Sequence, residues 1–445
     1  MLDTAIPTDP LSQRLARIRQ LVADDKLSEA AKQLNAVQRD APTDARVPLI
    51  GMRMAAAAGN AKGAIELARR ALKLAPGWPV AQIELAQLLA RAGDANAARE
   101  AVDLARQARA ADPDHLQLAI SAINVAHAVH DDALTLQWTQ AALERHPRAS
   151  GLQLFAGHLL AALGRPAEAL AHLRQAHDLA PGQIEPLLAL LRAARALGDD
   201  AAARMWAERA LVAAPDNEQA RYWHAVAHGQ TPATQPAAVV RALFDHYPGD
   251  YDRHMAGNLH YRAPERMAAL LREKFPDLRF SLLDLGCGTG LVGACLGRIQ
   301  GFIIGADLSQ PLLDQAARRG VYARLHHVNL LDALAATPGD HYEAITCADA
   351  LPYVGDLAPV IPNALRVLKS GGWFLLTCEA ARADEGDPAT GYVLRASDRY
   401  AHRAQDVERQ LRAAGFVNIA IEPLPELRRE GDAALAGFLA LAQKP

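Results

Sequence analysis

Cysteine is scarce: four in 445 residues, and all of them (Cys287, Cys295, Cys347 and Cys378) fall in the last third. Their spacing fits neither a metal knuckle nor a disulfide framework, so no metal site is expected and a reducing, cytoplasmic setting follows. No run of 18 apolar residues occurs, which excludes a membrane-spanning helix of the ordinary kind. The first residues, MLDTAIPTDP, carry acids and prolines where a signal peptide needs a basic end and an apolar stretch. Charge of one sign is also missing. Lys plus Arg is 47 against 50 Asp plus Glu, and the balance is even on both sides of residue 230. Sequence-independent phosphate binding needs a basic excess, so neither a nucleic acid nor an anionic membrane is an expected partner.

What remains is a chain with 51% hydrophobic and 22% charged residues, compositionally globular and long enough for two or three domains. The front half is periodic. Prolines stand at 42, 76, 113, 147, 181 and 215, spaced by 34, 37, 34, 34 and 34. Five residues before each lie Val37, Ala71, Ala108, Ala142, Ala176 and Ala210, and twelve before lie Ala30, Ala64, Ala101, Thr135, Ala169 and Ala203. Small residues at two fixed offsets let paired helices approach closely, and the proline ends the second helix of each pair. Gly59, Gly164 and Gly198, seventeen before their prolines, mark the turn between the helices. The three extra residues of the 37-residue unit predict an added helical turn near Ala97–Asp103.

This register resembles the tetratricopeptide repeat over residues 11–216. The resemblance implies an all-α solenoid at 1–230 whose concave groove takes a peptide or protein partner. Asn217–Gln230 reads as the closing cap helix, its aromatics sealing the last repeat, and His127 and His130 read as ordinary helix residues. Of the Asn and Lys residues that a carboxylate-gripping groove needs, only Asn124 is found. TPATQPA, at the start of 231–238, reads as a short linker, leaving 239–445 as the second domain.

There the apolar run Phe280–Leu285 breaks into GCGTG and then LVGACLG, a strand, glycine turn and helix opening a nucleotide-binding α/β unit. Gly286, Gly288 and Gly290 let the backbone approach a ligand. A second apolar strand ends at Asp307, placed to accept both ribose hydroxyls of an adenosine ligand. The pattern is G-x-G-x-G, with Asp284 two residues before it, rather than G-x-G-x-x-G. An acid there suits a ligand with a cationic amine better than a diphosphate, which it would repel.

LLDLGCGTG at 282–290 and GADLS at 305–309 resemble the first two motifs of class I S-adenosylmethionine-dependent methyltransferases. HVNLLD at 327–332 resembles the third, with Asn329 where Asp is commoner, and YEAITCADALPYVGDL at 342–357 the fourth strand and acceptor lip. RVLKSGGWFLLT at 366–377 is similar to the helix, turn and fifth strand that follow. YDRHMAGNLHYRAPERM at 251–267 and GYVLRASDRYAH at 391–402 look like predicted methyltransferases that carry tetratricopeptide repeats. The resemblance implies a Rossmann-like seven-stranded sheet with its last strand antiparallel, the final two strands falling at Val417–Pro423 and Ala436–Ala442. It implies S-adenosylmethionine as cofactor, with S-adenosylhomocysteine as product. Its site would comprise Tyr261, Asp284, Gly286, Cys287, Gly288, Gly290, Asp307, Leu308, Asn329, Leu330 and Cys347.

The expected function is methyl transfer to an oxygen or nitrogen of a protein, peptide or carrier-bound acceptor positioned by the repeats. Candidate bases are His254, Asp349 and His402. Tyr251, Tyr261, Tyr353 and Tyr400 are candidate orienters, and Arg395 and Arg399 candidate grips for an anionic acceptor. The alternative is a non-catalytic scaffold whose methyltransferase domain is inactive. Its mark would be eroded glycines or loss of Asp307, and both are intact.

Overall fold

The computed structural model describes residues 9–24, 26–92, 94–244, 261–386, 389–430 and 433–445. Paired helices fill the front half: α1 (Pro10–Ala23) and α2 (Leu27–Asp40), α3 (Arg46–Ala57) and α4 (Ala61–Leu74), α5 (Pro79–Ala92) and α6 (Ala95–Ala111), α7 (Leu116–Ala128) and α8 (Asp132–Arg145), α9 (Ser150–Ala162) and α10 (Pro166–Leu179), α11 (Ile184–Ala196) and α12 (Asp200–Ala213). Each phased proline sits two residues past the end of its second helix. The small residues at the two offsets are all buried, from Ala30 and Val37 to Ala203 and Ala210. α6 has 17 residues against 14 in the other second helices, which accounts for the 37-residue unit.

Gly59, Gly164 and Gly198 take φ of +74°, +72° and +71° between paired helices. His130 occupies the same slot in its unit at φ +58°, so it is a left-handed turn residue and not the helix residue the pattern suggested. A groove crosses the first helices of four units. Val22, Ile50 and Ile83 line it beside Arg19, Gln117 and the Arg53–Glu84 ion pair.

Packing groups the chain into two compact units divided between Ala193 and Ala194, inside α11. The second unit therefore includes α12, α13 (Glu218–Ala227) and α14 (Ala237–Phe244). Tyr222 and Trp223 of α13 are buried, and the Arg195 guanidinium lies 5.3 Å from the Trp223 ring. Residues 231–236 are no free spacer. Thr234 bridges Val354 in antiparallel fashion, Ala233 O accepts the Gly355 and Asp356 amides at 2.9 and 2.8 Å, and the Gln235 amide donates to Tyr353 O at 3.1 Å. Pro232 and Pro236 lack donors, but Gln235 between them keeps its own and pairs.

The α/β elements are α15 (Ala263–Lys274), β1 (Leu282–Leu285), α16 (Leu291–Leu296), β2 (Ile303–Asp307), α17 (Gln310–Arg318), β3 (Arg324–His327), α18 (Leu330–Ala336), β4 (Tyr342–Cys347), α19 (Ile361–Val367), β5 (Leu368–Ala380), β6 (Tyr392–Leu394), β7 (Tyr400–His402), α20 (Ala404–Ala414), β8 (Val417–Glu430) and β9 (Ala433–Gln443). Strands β3-β2-β1-β4-β5 are parallel, β9 adds antiparallel to β5, and β8 pairs with β9. These seven are the expected sheet. The observed sheet has nine strands, because the β6–β7 hairpin joins the end of β5 through β7. β8 and β9 also run longer than the apolar runs at 417–423 and 436–442, their far halves pairing across Arg428–Leu435. Leu282–Leu285 is buried throughout, as a central parallel strand covered on both faces must be. Among the described residues no helix is long and apolar enough to cross a membrane.

Candidate active site

The carboxyl ends of β1, β2 and β4 open on a cleft. After β1 the chain turns through Gly286, Gly288 and Gly290, at φ +63°, +54° and +83°. The turn is tight as well as left-handed: a Cβ at Gly286 would stand 2.4 Å from that of Ala350. Gly286 and Gly288 line the cleft, followed by Asp307 and Leu308 after β2 and Asn329 and Leu330 after β3. Asp349, Ala350, Tyr353 and Val354 after β4 face the same space, as do Thr234, Gln235, Val240 and Phe244.

Asp307 holds the first two loops together. Its Oδ2 accepts the Gly288 amide and its Oδ1 the Ser309 amide, each at 2.8 Å. Burial pushes its carboxyl above the usual range, opposed by these two amide hydrogen bonds. Asn329 caps α18 through Oδ1, which accepts the Leu331 amide at 2.8 Å. Its Nδ2 group is left as a donor that suits an adenine ring nitrogen.

Asp284 is not on the cleft wall. It is 1% exposed, with Tyr322 donating to Oδ2 and Thr346 to Oδ1, both at 2.7 Å. Burial pushes its pKa up to about 6, against these two hydroxyls. Tyr322 links the acid to the helix after the turn, its hydroxyl oxygen accepting the Gly293 amide at 3.3 Å. Neither Tyr322 nor Thr346 belongs to the glycine motif, and sequence reasoning missed both.

The other expected residues separate. Cys287 and Cys347 are buried, their thiols pushed up by burial, and Cys347 packs in the central core. Gly290 shapes the start of α16 behind the turn, and Tyr261 packs among Ala263, Leu291, Leu424 and Leu427. Neither lines the cleft. Tyr251 and His254 lie outside the described residues.

His402 does not serve as a base from its position. It is 1% exposed, burial pushes its pKa down to about 4, and its Nε2 lies 2.9 Å from the Gly355 carbonyl oxygen, to which it donates as the neutral ring. Tyr400 is equally buried, its hydroxyl donating to Pro232 O at 2.7 Å. Arg395 and Arg399 are no anion grip, because both pair internally with Glu379, at 3.0 and 2.7 Å, and Arg395 also with Glu385. Asp349 and Tyr353 do face the cleft. Asp349 sits at φ +54°, its carboxylate paired with Arg428 of β8. Burial raises both Asp349 and Tyr353, and for Asp349 the guanidinium opposes it.

A glycine turn, the Asp307 carboxylate and the Asn329 amide thus share one cleft at the carboxyl ends of the strands. Residues 283–376 match the family described as "Methyltransferase domain". The chain is 36% identical over 139 residues to human methyltransferase-like protein 27, covering 30% of this chain and 56% of that one. It is 27% identical over 181 residues to the ubiquinone biosynthesis O-methyltransferase of Xanthomonas oryzae pv. oryzae (strain PXO99A), covering 37% of this chain and 76% of that enzyme. Among solved structures, the front half overlaps the TPR protein YrrB (17% identity, 42% of this chain, 96% of that one, TM-score 0.35). The [4+2]-cyclase SpnF overlaps over 41% of this chain and 80% of its own (23% identity, TM-score 0.33). The chain spans little more than half of the human relative. Residues 283–376 thus match a methyltransferase domain, behind an array of paired helices, and the cofactor implied by that match is S-adenosylmethionine. The residues present fit it: two left-handed glycines beside the cleft, and Asp307 with lone pairs beyond the two amides it accepts.

Proposed function

We propose that this chain transfers a methyl group from S-adenosylmethionine to an oxygen or nitrogen nucleophile. The acceptor is a protein, peptide or carrier-bound molecule, recruited or positioned by the repeat array. One observation carries the reading: Gly286, Gly288, Asp307 and Asn329 share a cleft with Asp349 and Tyr353. The cofactor, when bound, supplies a methyl group already activated by its sulfonium charge. Gly286 and Gly288 leave room for its backbone-facing side, Asp307 accepts from the ribose hydroxyls, and Asn329 Nδ2 donates to the base. Phe244 and Tyr353, edge to face at 5.3 Å between ring centres, exclude water from the acceptor end.

Asp349, held by Arg428, is poorly placed to act as a strong base, so the rate rests on alignment. Proximity and orientation contribute roughly 7–11 kcal/mol to such reactions. The O-methyltransferase names of several relatives favour oxygen as the nucleophile. The groove beside Ile50, Ile83 and Arg53 supports a peptide-binding use of the repeats, and four free thiols suit a cytoplasmic setting.

The test is calorimetric titration of the full chain with S-adenosylhomocysteine, with NADH as control. Micromolar or tighter binding of S-adenosylhomocysteine alone is expected. Binding of NADH alone overturns the reading, and binding of neither returns the chain to a scaffold role.

A further inference from the structure

Gln235 stands where the sequence suggested only a linker. It is 3% exposed and lines the cleft. Three anchors fix it: its backbone amide donates to Tyr353 O at 3.1 Å, the adjacent Thr234 bridges Val354, and its side-chain Nε2 donates to the carbonyl oxygen of Asp398. Asp398 is itself held, in a left-handed turn at φ +59° with its carboxylate on Arg195. The remaining side-chain atom, Oε1, is buried with no hydrogen-bond partner among the described residues. An amide flip does not relieve it, because that would set Oε1 against the Asp398 carbonyl, acceptor to acceptor. A buried polar atom left without a partner calls for an explanation, and a ligand that completes it is one.

The surroundings narrow that ligand. Val240, Phe244 and Tyr353 make the neighbouring wall apolar and aromatic. We infer that Gln235 Oε1 recognises the acceptor by taking a hydrogen bond from its nucleophilic hydroxyl or N–H group, with the apolar body of the acceptor against Phe244 and Tyr353. A carboxylate has no proton to give and meets Oε1 as a second acceptor, so carboxylates are excluded as the methylated group. This rests on the methyltransferase reading above but uses a residue that the glycine motif and ribose acid do not involve.

The experiment uses the full chain saturated with S-adenosylhomocysteine and titrated by ligand-observed NMR with phenol, anisole and benzoate. The three share a ring and differ in the donor. Phenol is expected to bind at least about tenfold more tightly than anisole, the worth of one hydrogen bond with a buried partner, and benzoate no more tightly than anisole. Gln235→Met, similar in shape but without the acceptor, should equalise phenol and anisole and leave S-adenosylhomocysteine affinity unchanged. If Gln235→Met does not fold, the ratio of phenol to anisole affinity on the parent decides. Equal binding of phenol and anisole to the parent, or a preference that persists in Gln235→Met, overturns the inference. A phenol preference without S-adenosylhomocysteine binding would instead sink the methyltransferase reading and leave the role of Gln235 standing.

Discussion

The Nη1 atom of Arg428 lies 2.5 and 2.6 Å from the two carboxylate oxygens of Asp349, and its Nη2 reaches Glu379. Arg428 is 4% exposed and Glu379 fully buried, so this guanidinium, borne by the last hairpin, neutralises acids on two other segments. Arg395 and Arg399 complete the set around Glu379. The cluster ties the β8–β9 hairpin and the β6–β7 hairpin to the floor of the cleft.

Removing one member should therefore be costly. Arg428→Met strands the Asp349 carboxylate and leaves Glu379 to Arg395 and Arg399, and breaking a buried pair in this way costs about 3–5 kcal/mol. Denaturant melts should show that loss, and adding Asp349→Asn to the variant should recover part of it by removing one stranded charge. A melt of Arg428→Met that overlays the parent would show that the cluster contributes nothing to stability.

Asp284 gives a pH signature. Its folded pKa of about 6 lies above its ordinary 3.8, so the folded chain holds this proton more tightly than the unfolded one. Stability from this group is present below about pH 4, falls as pH rises to about 6, and is flat above, a change of about 3 kcal/mol. Asp284→Asn does not titrate. Its stability relative to the parent should rise by that amount between pH 4 and 7 and then level off. A difference that stays constant across this range would place the carboxylate at its ordinary pKa and remove the argument from burial.

The repeat phase was legible because close helix approach admits only small residues, so Ala64, Ala101 and Ala169 recur at one offset and are buried. The glycine turn and Asp307 were legible for a similar reason, since left-handed backbone and a strand-tip acid restrict residue choice. His130 escaped because a left-handed turn tolerates some residues other than glycine. The rest of the site depends on pairings distant in sequence. Thr234 meets the Tyr353 carbonyl across 119 positions and Arg428 meets Asp349 across 79, and neither partner carries a local pattern. Arg395 and Arg399 read as free cations for the same reason: Glu379, which takes them, lies on a different strand.

The division inside α11 leads to a fragment prediction. A chain beginning at residue 239 lacks Ala233, Thr234 and Gln235, which pair with Tyr353, Gly355 and Asp356, and Pro232, which takes the Tyr400 hydroxyl. Each buried group left unpaired costs roughly 1–3 kcal/mol, and together these approach the whole stability of a domain. A chain beginning at Ala194 keeps every one of them, along with the Trp223–Arg195 contact. The longer fragment should melt cooperatively, and the shorter should melt far lower or not fold. Equal melting of the two would mean that residues 194–238 are an appendage to the α/β domain.

Asp307 carries the most direct prediction for the cofactor. Its two oxygens already order the Gly288 and Ser309 amides, so the acid both shapes the loops and faces the cleft. Asp307→Ala removes charged hydrogen bonds to ribose, worth roughly 1.5–3 kcal/mol, and should weaken S-adenosylhomocysteine binding by about tenfold or more. Asp307→Asn separates the two roles. Its single carbonyl oxygen can keep one of the two backbone amides and its NH2 cannot replace the other, so it should melt above Asp307→Ala and still lose affinity. Unchanged affinity in both variants would mean that the acid at the end of β2 serves the loops alone and that the ribose lies elsewhere.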